Sequence, residues 1–309
     1  MDSVTVFAPA TIANLGPGFD VLGVAIEGMG DWVSATLRDE PGVAIEDIEG
    51  DEGRLSLDPS RNTAGIAAQE VLNLIGATKV GVSLRVRKGL PLGSGLGSSG
   101  ASAAAAAWAV NVLFDQVLSK EKLIHAGLAA ESMVSGWHAD NVGPSLFGGF
   151  VLIRAYEPLD IIELPSPYGL TFVLAIPDFE LPTREARAAI PKSIPLQQHV
   201  VNSGNLAALI TALFGGSLAL LGRALQDIIV EPARAPLIPG FDEVKAAALE
   251  AGALACSISG AGPTLFAIVD DDRRAQRIAD AMQEAFREHA GLRSRTHVAQ
   301  VDEEGARVM

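Results

Sequence analysis

Residues 91–101 read PLGSGLGSSGA. Four glycines and three serines fall in the eight positions from Gly93 to Gly100, between the alternating segment GVSLRVR (81–87) and an alanine-rich run (101–110). Glycine lets the backbone pass close to a ligand and turn successive N–H groups toward it. The first turn of a following helix adds unsatisfied donors and the positive end of a dipole. The stretch therefore reads as a cradle for phosphate, with Ser98 and Ser99 placed to donate to phosphate oxygens or to ligate a divalent cation. A loop that only caps a helix needs fewer small polar residues than this.

One other glycine loop is excluded, and a second, which would make the chain a dinucleotide-dependent enzyme, fits less well. A Walker A loop ends in Gly-Lys, and the chain has no such dipeptide. The dinucleotide fingerprint is a nearer rival, because Gly95, Gly97 and Gly100 have its spacing and Asp115 lies 20 residues beyond Gly95. In that fold, however, the strand runs directly into the first glycine. Here residues 88–94 intervene, and a helix would have to end and a strand form within a few residues of Asp115.

The charge balance favours a backbone-built site. The formal net charge is −14, with only 23 Lys plus Arg among 309 residues, which argues against nucleic acid as a partner. An acidic chain that binds a polyanion must use N–H groups or gather its few cations. The lone cysteine, Cys256, excludes an intrachain disulfide and a thiolate cluster, and its apolar neighbours suggest a buried strand thiol. The start, MDSVTVFAPA, lacks the apolar stretch of a signal peptide. Residues 206–221 are apolar, but Gly215-Gly216 interrupts them well short of the ~20 residues a membrane span needs, and reads as a turn between two helices. A soluble, cytoplasmic chain with no membrane contact is expected.

Hydrophobic patterning predicts strands at 3–8, ended by Pro9 before a turn-rich segment, and at 31–37, 42–48, 81–87, 147–153 and 170–176. Helices are expected at 62–74, with Asn62 as N-cap, at 101–110 and at 119–135. The second half adds helices at 184–189, 197–214, 218–229, 241–251 and 273–290, with strands at 253–259, 265–269 and 296–301. This order is α+β, in two halves that share a cleft (1–165 and 166–309), and not a doubly wound sheet.

Pro91, Gly95-Leu96 and Ser98-Ser99 resemble the central ATP motif of the galactokinase, homoserine kinase, mevalonate kinase and phosphomevalonate kinase (GHMP) superfamily. Gly100 departs from the alanine usual there. Two further motifs stand in that superfamily's order, APATIANLGPGFDVLG (8–23) and SISGAGPT (257–264). The resemblance covers nearly the whole chain. It implies a two-domain fold with the active site in the interdomain cleft, and ATP and Mg²⁺ as cofactors. By resemblance, the nucleotide site comprises Pro91, Leu92, Gly93, Ser94, Gly95, Leu96, Gly97, Ser98, Ser99, Gly100 and Ala101, together with Asn62, Gly260 and Gly262. The metal would lie on Ser98 or Ser99 and Glu131.

The N-terminal motif, with HADNVGPSLFGG (138–149), PTREARAAIP (182–191) and EPARAPLIPGF (231–241), is similar to homoserine kinases. That likeness implies transfer of phosphate to the hydroxyl of L-homoserine on the route to threonine. A zwitterionic acceptor needs a cation for its carboxylate and an anion for its ammonium. Arg187 and Arg234 are candidates for the first, Asp20 for the second, and Asn14, His138 and Asn141 for orienting the hydroxyl or the acceptor's main chain. Each also has a plain structural use, in a turn, a cap or a surface ion pair. Asp140 is the counterpart of the catalytic aspartate of mevalonate-type relatives, and is expected either to act as base or only to orient. Mevalonate, shikimate or a sugar is the alternative acceptor, and a non-catalytic binding module is a third reading. A homodimer is left open.

Overall fold

The computed structural model describes residues 2–134 and 136–309. The first part of the chain forms β1 (Ser3–Ala13), β2 (Leu22–Arg38), β3 (Gly42–Glu49), α1 (Thr63–Leu74), β4 (Gly81–Arg87), α2 (Ser98–Leu113), α3 (Lys120–Glu131), α4 (Val142–Phe147), β5 (Phe150–Tyr156) and β6 (Leu159–Leu164). After β7 (Thr171–Pro177) come α5 (Thr183–Ala188), α6 (Leu196–Gly215), α7 (Leu218–Ala224), α8 (Val230–Arg234) and α9 (Phe241–Glu250). The chain closes with β8 (Ala255–Ile258), β9 (Leu265–Val269), α10 (Asp272–Ala290), β10 (Ser294–Ala299) and β11 (Arg307–Val308).

These strands make two sheets. The larger runs β11-β1-β2-β4-β3, with β5 and β6 added beside the start of β2; the smaller runs β10-β7-β9-β8. Strand β2 is the fork, because Leu22–Val24 pair with β5 while Trp32–Arg38 pair with β4. Among the described residues, β3 and β4 are the one parallel pair of the larger sheet. No helix among the described residues is long and apolar enough to cross a membrane.

Three apolar clusters hold the layers together. The first packs α1, α2 and α3 on the larger sheet. The third packs α9 and α10 on the smaller one. The second lies between the sheets, where Phe172 meets Phe150 and Phe266 at ring-centroid separations of 6.5 and 6.1 Å. Helix α2 is buried nearly all round, and its run Ala103–Ala107 explains how it fits: methyl side chains let a helix pass between a sheet and three other helices.

Several sequence expectations are corrected. Strand β1 does not stop at Pro9 but continues to Ala13. The register shifts between Pro9 and Ala10, so the proline falls at a ladder irregularity, a position that tolerates its missing N–H. The turn-rich reading also hid the first half of β2. Helix α2 begins at Ser98, three residues before the alanine run, which places both serines in its first turn. Helix α3 ends at Glu131, and the expected terminus at Ser135 lies outside the described residues. Helix α7 stops at Ala224, because the Asp227 carboxylate accepts from the amides of Ile229, Val230 and Glu231 and starts α8 instead. The short elements α4, β6, α8 and β11 were not anticipated.

Candidate active site

The phosphate loop has the backbone its composition implies. Gly93, Gly95 and Gly97 all have positive φ, at 64, 82 and 68°. At Gly97 the space is as restrictive as the angle, since a Cβ there would lie 2.0 Å from Thr11 Oγ1. Gly97 is the left-handed N-cap of α2, and its carbonyl accepts from the Ala101 amide at 2.8 Å. The amides of Ser98, Ser99 and Gly100 thus precede the first helical bond and face outward as donors.

Beneath this loop lies a buried ion pair that sequence reasoning missed. Lys88 Nζ contacts the Asp31 carboxylate, and also donates to Ser98 O (2.9 Å) and Ser102 Oγ (2.7 Å). Asp31 is fully buried and accepts as well from the Gly89 and Leu90 amides and from Ser102 Oγ. A lone cation at a helix N-terminus opposes the dipole. Paired with Asp31, Lys88 is neutralised, ties the middle of β2 and the end of β4 to α2, and leaves the amide cradle intact. Its only sequence signal was a lysine just past a strand whose facing position was unknown.

The turn between β8 and β9 closes against the same loop. Ser259 Oγ donates to Gly95 O (2.7 Å) and the Thr264 amide to Ser94 O (3.2 Å). The carbonyl of Gly260 accepts from Asn14 Nδ2 (2.8 Å) and from an Arg234 terminal nitrogen (2.7 Å). One carbonyl therefore joins the loop region to a second cluster.

That cluster gathers residues from four parts of the chain. Arg187, on α5, donates two bonds to the Asp20 carboxylate, at 3.0 and 2.9 Å. His138 Nδ1 lies 3.3 Å from Asp20, yet burial, outweighing the attraction of Asp20, pushes its pKa below the usual histidine value. Arg234 is almost fully buried, and burial, then the like charge of Arg187, pushes it down to about 10. Asp140 is pushed up to about 7 by burial first, and then by the charges of Asp20 and Glu131. Asn14 and Asp20 both hold positive φ, at 69 and 59°, and the Asn14 side chain accepts from the Asp20 amide.

A cleft of ≈ 470 Å³ lies over the loop, lined by Asn62, Gly93, Ser94, Gly95, Gly97, Ser98, Ser99, Glu131, Asn141 and Gly260 among others. Leu92 lines it too, whereas Pro91 borders both that loop and a neighbouring polar recess around Arg54 and Glu180. Leu96 and Ala101 turn their side chains into the core between the sheets, and Gly100 is buried. Those three can offer a ligand only backbone. Gly262 faces Ile238 and does not line the cleft. Asn62 caps α1 through the Ala64 amide, and Asn141 Oδ1 accepts from Thr11 Oγ1 at 2.8 Å.

Comparison with known proteins bears on this geometry. The sequence profile of the GHMP kinases N terminal domain matches residues 62–149, and that of the GHMP kinases C terminal matches 207–288. A homoserine kinase of Arabidopsis thaliana is 54% identical over 99% of this chain and 85% of its own length. One from Chlorobaculum tepidum is 46% identical over 100% of this chain and 99% of its own. The crystal structure of homoserine kinase from Cytophaga hutchinsonii superposes with a TM-score of 0.95 at 45% identity, covering 100% of this chain and 98% of that one. The chain belongs to the GHMP kinases and, among them, to the homoserine kinase family.

Proposed function

We propose that this protein transfers the γ-phosphoryl group of ATP to the side-chain hydroxyl of L-homoserine, giving O-phospho-L-homoserine and ADP, a step toward threonine. The observation that carries this reading is the single carbonyl of Gly260, which links an amide-built phosphate cradle to a cluster of matched opposite charges. The cradle suits polyphosphate; the Asp20–Arg187 pair beside Arg234 suits a zwitterion, whose two ends can each find a partner there.

Phosphoryl transfer proceeds through a loose transition state and needs mostly positioning and charge stabilisation. The amides at the start of α2 and the glycine loop hold phosphate oxygens. Asp140, whose carboxyl burial pushes up to about 7, is suited to orient the acceptor hydroxyl and take up its proton late, not to abstract it beforehand. Asn141 and His138 order the same region.

The residues present fit Mg²⁺. Ser98 Oγ is buried with no hydrogen-bond partner among the described residues, and buried Glu131 lines the same cleft. Among the described residues no group of three or more His, Cys, Asp or Glu is placed to hold a metal. A hydroxyl and one carboxylate are nevertheless a donor set that Mg²⁺ accepts alongside phosphate oxygens and water. When bound, the ion supplies neutralisation of phosphate charge. Ser98 or Ser99 with Glu131 would hold it.

The test is ADP release with L-homoserine, mevalonate, shikimate and a hexose, with and without Mg²⁺. Turnover with homoserine alone is expected, and preference for an amine-free acceptor would overturn the assignment. Glu131→Ala is expected to cost more turnover than Asp140→Asn, which lowers it without abolishing it. The reverse order would refute the roles given to both.

A further inference from the structure

The side chain of Phe19 touches both acceptor-site arginines. The guanidinium carbons of Arg187 and Arg234 each lie 5.3 Å from the centre of its ring, within the range of a cation–π contact. The two arginines come from different short helices, α5 and α8, and repel each other. Phe19, in contrast, sits on a pinned loop. The Gly18 carbonyl accepts from the Val21 and Leu22 amides, the Asp20 amide is held by Asn14, and Asn202 reaches the Pro17 carbonyl. Gly18 itself has no room for a side chain, since a Cβ would lie 2.6 Å from that of Leu22.

A ring has a property that a third carboxylate would lack. Its quadrupole attracts cations without neutralising them, so both guanidiniums keep their full charge for an incoming anion. Arg187 also has a spare donor, because its Nε is buried with no hydrogen-bond partner among the described residues. Its two terminal nitrogens are spent on Asp20.

We propose that Phe19 is a positioning residue that sets the carboxylate specificity of the acceptor site. Its ring holds Arg187 and Arg234 on one platform while an amino-acid ligand exchanges into the Asp20–Arg187 pair. The ligand's carboxylate takes the guanidiniums and its ammonium takes Asp20, so each charge meets one of opposite sign. Without the ring, Arg187 follows Asp20 and the two forks no longer converge. This inference rests on the acceptor-site reading given above.

The test is steady-state ADP release by the full-length enzyme with Phe19→Leu, Phe19→Tyr, Arg187→Ala, Arg234→Ala and the double variant Phe19→Leu/Arg187→Ala. Phe19→Leu is expected to raise the homoserine KM about tenfold, with the ATP KM unchanged and kcat lowered no more than about twofold. Phe19→Tyr, which keeps the ring, should restore the KM to near wild type. In the Arg187→Ala background the added Phe19→Leu change should cost clearly less than tenfold. An unchanged KM in Phe19→Leu, an additive double variant, or failure of Tyr to restore the KM overturns the proposal. If Arg187→Ala and Arg234→Ala leave the homoserine KM unchanged, the acceptor-site reading fails instead. An ATP KM that stays constant across the series shows that the variants are folded.

Discussion

Replacing Asp140 by asparagine tests the electrostatics of the site through stability as well as rate. In the folded protein the Asp140 carboxyl is pushed up to about 7, against 3.8 for an unburied aspartate, with burial the main cause. Between those two values the folded state holds a proton that the unfolded state has released. Stability contributed by this group is therefore fully present below about pH 4 and is lost as pH rises through about 7. With these two pKa values the loss between about pH 5 and about pH 8 is about 2.5 kcal/mol. An asparagine does not titrate, so the variant's stability relative to wild type should rise by that amount over the same interval. Any fixed cost of burying an unmet amide donor, about 1–3 kcal/mol, shifts both ends equally and drops out of the slope. Urea unfolding of both proteins at a series of pH values measures the difference, and carbon-13 titration of the carboxyl reads the pKa directly. Asp20→Asn in the wild-type background should lower that pKa, because Asp20 is the largest charge raising it. Parallel pH profiles for wild type and Asp140→Asn would refute the reasoning.

Three further outcomes follow from the geometry. Gly97→Ala should destabilise by about 1–3 kcal/mol and raise the ATP KM, because both the positive φ and the 2.0 Å approach to Thr11 Oγ1 forbid a methyl; thermal unfolding and ATP titration check it. Lys88→Met leaves the Asp31 charge buried without its cation and should cost about 3–5 kcal/mol, while Lys88→Met/Asp31→Asn, which keeps an acceptor for the Gly89 and Leu90 amides, should recover at least half. Equal losses in the single and double variants would show that the pair does not brace the loop. Cys256 is buried in β8 and its thiol is pushed up to about 12, so a thiol reagent at neutral pH should modify it only after denaturation.

The backbone of the glycine loop was legible from sequence because glycine spacing is a local property: positive φ and close approach are demanded where the glycines stand. The strand at 81–87 and the long helices at 197–214 and 273–290 were legible for a similar reason, since periodicity over many residues survives without knowing what covers each face. Pro9 misled because proline normally ends a strand, and only the pairing with β2 reveals a register shift that tolerates its missing N–H. The start of α2 was placed late because serine and glycine are poor helix formers, and their use as the helix's first turn depends on the cap at Gly97.

The site divides along the same line. Residue types and motif order alone showed a glycine- and serine-rich loop ahead of a helix, placed the chain with the GHMP kinases, and singled out Asp20, Arg187 and Arg234 as candidate acceptor residues. Tertiary structure decided how those groups are paired: Asp20 with Arg187, Lys88 with Asp31, and Phe19 with two arginines. The reason is physical. A backbone conformation is written in adjacent residues, whereas a charge or a ring acquires its role from whichever distant group the fold brings within a few ångströms, and from how much water the fold removes.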